Sequence, residues 1–176
     1  MLTNKLFVLI AAIAVFSIGA SAQKAASGTT KVDPAKGVRD AFDRLVEGIK
    51  QVDAEKVMSV YEKNENNLFF NNNGSVTRGW QTMKDNRVSS YARTKNVSLE
   101  TTGVRVEMLG ANSAYVTCKW KQDQEFDGKL ETASGRMTLV FKKVGKDWKI
   151  VHLHTSPDNP APTRPVLDSE RVKTTN

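Results

Sequence analysis

His152 and His154 are the only histidines in the chain and stand two residues apart in Trp148-Lys149-Ile150-Val151-His152-Leu153-His154-Thr155. In an extended strand, alternate residues share a face, so this spacing presents two imidazoles side by side. Such a pair can move protons near neutral pH or begin a metal site. A metal requires a third ligand, and no acid or thiol stands at a spacing that nominates one, so no metal is expected. The plainer role is structural, with one ring holding a neighbouring carbonyl or carboxylate at the end of a sheet. Arg136 lies in an apolar strand, where a lone guanidinium is costly to bury. It either pairs with a carboxylate such as Glu107 or Glu125, or faces a cleft and holds an anionic ligand. Trp120 and Tyr91, with Trp80, Trp148, Phe69 and Phe70, could line an apolar pocket, although aromatics at helix or strand spacing usually serve packing. Ser134 and Ser156 have no histidine–acid arrangement that would make a nucleophile. There is no glycine-rich phosphate loop and no dinucleotide fingerprint, so no cofactor is expected. Cys118 stands in an apolar alternation and reads as a small buried hydrophobe.

These residues need elements to hold them. Asp33-Pro34 is a helix start, and Val38, Phe42, Leu45, Ile49 and Val52 follow as one apolar stripe. Asp53 can cap a second, shorter helix with Ala54, Val57, Met58 and Tyr61 on its apolar side. Leu68-Phe69-Phe70 reads as a short strand entering the turn-rich Asn71-Asn72-Asn73-Gly74. Trp80, Met83, Arg87, Val88 and Tyr91 suggest a third helix. Beyond Tyr91 the period changes to two. Val104 to Met108, Ala114 to Lys121, Met137 to Phe141 and Trp148 to His154 form four strands, the middle two joined by the hairpin turn Asp127-Gly128. In the last strand, Trp148, Ile150, His152 and His154 are expected on one face. Helices followed by an antiparallel meander make an α+β fold, with the helices on one side of a curved sheet that encloses a cleft.

The ends have a different character. Lys5, the apolar run Leu6 to Ile18 and the small-residue site Ala20-Ser21-Ala22 have the three parts of a cleaved secretory signal peptide over residues 1–22. The run is shorter than a membrane-spanning helix needs, so no transmembrane segment is expected after cleavage. The expected location is periplasmic or secreted. Residues 23–32 read as a flexible lead, 33–156 as the folded domain, and 157–176, holding four of the five prolines, as a flexible tail. One cysteine in 176 residues excludes an internal disulfide framework. The formal charge of +7 falls to +6 once Lys5 is removed. Its positive residues are scattered among acids, so nucleic acid is not an expected partner.

The order from Gly135-Arg136 through the apolar strand to Trp148-Lys149-Ile150-Val151-His152-Leu153-His154-Thr155-Ser156 resembles SnoaL-like domains of the nuclear-transport-factor-2-like superfamily. It is also similar to the association domain of calcium/calmodulin-dependent kinase II. The resemblance implies a cone-shaped curved antiparallel sheet packed against three N-terminal helices, a pocket inside and often a homodimer. Its members include isomerases, cyclases, dehydratases and oligomerisation hubs, so it implies no single function. The base Asp of ketosteroid isomerases falls near Asn71 in this sequence, and an amide cannot take its proton. In association domains the arginine corresponding to Arg136 lines the pocket, while another of that pocket's positive groups is replaced by Thr155.

The expected protein is an exported domain whose cleft binds a small apolar or acidic molecule, with Arg136, His152, His154, Trp120, Tyr91 and Asn71 as candidate contacts and no assigned catalysis. One alternative is an isomerase, cyclase or dehydratase using a pocket histidine. Another is an oligomerisation module. A homodimer is expected because the long strands carry apolar residues on both faces, including Tyr115 and Val116, Val140 and Phe141, and Ile150 and Val151.

Overall fold

The computed structural model of the chain describes residues 33–158. The expected signal peptide and lead lie outside the described residues, as does the tail beyond Asp158. Among the described residues, no helix is long and apolar enough to cross a membrane.

Helix α1 (Lys36–Lys50) buries Val38, Phe42 and Leu45 of the stripe read from the sequence, together with Ala41, and half-buries Ile49, while Val52 falls beyond its end. Asp33 precedes it, accepting from the Ala35 amide and pairing with Arg39. Helix α2 (Ala54–Ser59) starts as expected, because the Asp53 side chain accepts from the Lys56 amide at 2.9 Å. Strands β1 (Leu68–Phe70) and β2 (Val76–Arg78) form a small antiparallel hairpin around the asparagine-rich turn. The sequence reading found β1 and missed β2, whose three residues are too short to show a period. Helix α3 (Trp80–Tyr91) buries Met83, half-buries Trp80, Arg87 and Tyr91, and leaves Val88 exposed. The expected stripe is therefore right except at Val88.

Strands β3 (Thr94–Met108), β4 (Ser113–Phe126), β5 (Lys129–Val144) and β6 (Asp147–Pro157) complete an open six-stranded sheet in the order β2-β1-β6-β5-β4-β3. Asp127 and Gly128 both have positive φ, as the tight turn joining β4 to β5 requires. Two register shifts in β3, between Lys95 and Ser98 and between Thr102 and Arg105, add the local bending that bulges bring.

Two expectations are corrected. The sheet is mixed rather than antiparallel, because β1 pairs parallel with β6, Phe69 opposite Leu153 and Phe70 opposite His154. A pairing across more than eighty residues leaves no local signal in the sequence. The second correction concerns β6. The register slips between Val140 and Phe141, so Val140 faces His152 while Phe141 faces Ile150, and Val151 is the extra residue. The bulge shifts the alternation by one residue. Trp148, Ile150 and Leu153 enter the core with Leu139 and Phe141, whereas His152 and His154 turn to the opposite face.

The core thus lies between α1, α2 and the inner face of the sheet, centred on Phe69, Phe141, Leu45, Leu139 and Ile150. Cys118 belongs to it, and burial pushes its thiol up to about 11.

Candidate functional site

A cavity of about 390 Å³ opens between α1, α3 and the inner face of β4–β6. Leu45 and Ile49 of α1, Leu99 of β3, Met137 of β5 and Leu153 of β6 give it an apolar body. Its polar atoms come from Asn71 after β1, Arg87 and Tyr91 on α3, Gln122 and Gln124 on β4, and Glu131 on β5. The helical step of four places Arg87 and Tyr91 on one face of α3. The guanidinium lies 5.2 Å from the Tyr91 ring centroid and donates weakly to its hydroxyl at 3.5 Å.

Arg87 is half-buried and has no carboxylate within salt-bridge distance among the described residues. It is therefore a permanent positive charge against an apolar wall. Burial pushes the Tyr61 phenol up to about 12 and raises that of Tyr91, with Arg87 opposing the rise in both. Both phenols stay protonated at neutral pH and can donate. Asn71 lines the cavity with its amide nitrogen donating to Ser75 Oγ and Thr77 Oγ1, which ties the asparagine turn to β2. Trp120 also lines the cavity, and its indole N–H is buried with no hydrogen-bond partner among the described residues.

Of the six candidates named from the sequence, Asn71, Tyr91 and Trp120 therefore meet in one cavity. Arg136, His152 and His154 do not. Arg136 stands opposite Lys119 on the outer face of the sheet, exposed, and donates to the Pro157 carbonyl at 3.1 Å. It has neither the carboxylate partner nor the cleft position considered for it, because it alternates with the inward-facing Gly135 and Met137. His152 and His154 share a face, but it is the outer one, where Phe70 packs edge-on against both rings. His152 Nδ1 lies 2.8 Å from the Leu68 carbonyl, which is the structural role weighed for one of the pair. Both imidazoles are thus outside the cavity, so neither histidine can serve as the pocket acid–base considered for them. Asn71, at the position matched to the isomerase base, cannot take up a proton either.

Arg87 is the residue that the sequence reading missed. It was counted in the stripe of α3, and its signal was available there: a cation four residues before a tyrosine, on a face otherwise meant for the core.

The sequence profile of the SnoaL-like domain matches residues 38–160, and the chain belongs to that family. Solved structures agree on the fold. A nuclear transport factor 2-like superfamily protein from Salmonella enterica serovar Typhimurium is similar with a TM-score of 0.65 at 18% identity, covering 74% of this chain and 94% of its own. A ketosteroid isomerase-like protein from Erwinia carotovora atroseptica gives 0.62 at 14%, covering 73% and 99%. A protein from Xanthomonas campestris, provisionally assigned as a calcium/calmodulin dependent protein kinase II association domain, gives 0.59 at 18%, covering 70% and 86%. No functionally curated protein matches the chain.

Proposed function

We propose that this SnoaL-like domain binds a small molecule with an apolar body and an anionic head, with Arg87 as the counter-ion. The single observation behind this reading is a half-buried guanidinium lining a cavity with an apolar body, with no carboxylate within salt-bridge distance among the described residues. A half-buried cation without a counter-ion gains from a ligand that brings the missing charge as a charge-assisted hydrogen bond. Tyr91, already in contact with the guanidinium, restricts where that head can sit. The test is calorimetry with β-naphthoate and its neutral isostere β-naphthamide. The acid binds and the amide binds at least ~10-fold more weakly, as expected for one charge-assisted contact. Equal affinities for the two would refute the reading.

The same proposal makes the protein periplasmic or secreted and paired. The first part is supported by the charged start, apolar run and Ala20-Ser21-Ala22 of the sequence. The second is supported by the outer face of the sheet, which no helix among the described residues covers and on which Phe70 is 37% exposed and Tyr115 and Val140 are half-buried. A second copy of the chain is the occupant proposed, since like residues meet across a two-fold axis. Native mass spectrometry of the protein from its own envelope tests both parts. The expected species is a dimer whose chains begin at Gln23; chains retaining Met1 would remove export, and a monomer at all concentrations would remove the pairing.

A further inference from the structure

One wall of the cavity carries a chain of amides whose direction is fixed by its end. Gln124 Nε2 donates to Glu131 Oε2 at 3.1 Å, and Gln122 Nε2 donates to Gln124 Oε1 at 2.7 Å. A carboxylate only accepts, so Gln124 must turn its NH₂ towards Glu131 and its carbonyl oxygen towards Gln122. Gln122 must then give its own NH₂ to that oxygen. This leaves Gln122 Oε1 as a bare acceptor, without a partner among the described residues. Two residues back on the same face of β4, the Trp120 indole N–H is a bare donor. Alternate strand residues stand only ~7 Å apart, within reach of a single group between two long side chains. A free donor and a free acceptor thus stand two residues apart on one strand face, and the acceptor's orientation is held from Glu131.

We infer that this wall is a hydroxyl subsite: the ligand's hydroxyl accepts from the Trp120 indole N–H and donates to Gln122 Oε1. The inference rests on the cavity-binding reading and narrows the ligand to a hydroxylated apolar acid. A hydroxyl has both a donor hydrogen and acceptor lone pairs, so it completes both orphaned groups at once. An ether or ketone oxygen completes only the indole, and a methyl group completes neither. Leaving either group unpaired under a bound ligand costs its desolvation, which is what makes the wall discriminate. Glu131 touches no ligand in this scheme. It is a positioning residue that keeps the amide chain pointing one way.

The experiment measures the affinities of three far-ring derivatives of β-naphthoate, bearing hydroxyl, methoxy or methyl. Wild-type protein should bind the hydroxyl compound about 10-fold more tightly than the other two. Trp120→Phe, which keeps a ring and removes the N–H, should erase most of that preference. Glu131→Gln frees the amide chain to reverse, so that Gln122 can offer NH₂. The methoxy compound should then come within about threefold of the hydroxyl one, a change of ranking that a merely structural role would not produce. In wild-type protein labelled with nitrogen-15, one of the three indole N–H signals should move on adding the hydroxyl compound and be missing in Trp120→Phe. Equal binding of the hydroxyl and methyl compounds, with β-naphthoate still preferred over β-naphthamide, would overturn the subsite alone. A uniform loss for all three compounds in Glu131→Gln would overturn the role of the amide chain. Failure of any naphthoate to bind would overturn the cavity reading, and the subsite with it.

Discussion

Arg87→Met should bind β-naphthoate roughly 30-fold more weakly than wild type while melting within about 3 °C of it, since charged hydrogen bonds contribute ~1.5–3 kcal/mol and this half-buried guanidinium has few protein contacts to lose. Methionine keeps the helix propensity and much of the apolar stem, so the charge is the variable that changes. The stability side is modest because the guanidinium's protein contacts are weak: a long hydrogen bond to Tyr91 at 3.5 Å and a ring contact at 5.2 Å. Arg136→Met is the matched control. That residue is exposed on the outer face, and its loss should leave the affinity unchanged. Calorimetry and thermal melting decide the matter together. If Arg87→Met bound the acid within twofold of wild type, another group would have to hold the head.

Gly135→Ala should cost about 3 kcal/mol or more and lower the melting midpoint by about 10 °C. Gly135 is buried in β5, where it pairs with Trp120 on one side and Pro157 on the other. A Cβ placed there would stand 2.1 Å from the Ser156 carbonyl oxygen and 3.2 Å from the Trp120 ring. The first contact is with backbone, so no side-chain rotation relieves it. The end of β6 would have to leave β5, and Trp120 would have to leave its place in the cavity wall. Differential scanning calorimetry with tryptophan fluorescence checks both consequences. A midpoint within about 2 °C of wild type would mean that the two strands part more easily than their geometry implies.

The helices, the four long strands and the Asp127-Gly128 turn were legible because each depends on neighbours in sequence. The α1 stripe and the Asp53 cap follow directly from residue spacing. What was not legible came from distant partners. The parallel pairing of Phe69 with Leu153 joins residues far apart in the chain, and β2 exists because β1 lies beside it. The candidate site shows the same division. Trp120, Tyr91 and Asn71 were placed by local period and family resemblance, and all three line the cavity. Arg136 was brought toward the cleft by family resemblance; the histidines were assigned to a face by counting, and the count broke at Val151, where nothing in the apolar sequence marks an added residue. The opposite error hid Arg87: its helical spacing was read as packing when its side chain reaches the cavity.

The bulge at Val151 makes the chemical character of the pocket a question of parity. Upstream of it, odd and even positions of β6 are assigned to faces one way; downstream they are assigned the other way. Losing the bulge while keeping that residue in the ladder would restore even counting from Trp148 and exchange Leu153 and Thr155 for His152 and His154 in the wall that faces Arg87 and Tyr91, whereas deleting it would leave the present faces unchanged. The pocket would then hold two imidazoles, with every side chain of the domain retained. The distance between a receptacle and a reaction chamber on this scaffold is therefore one residue of register in β6.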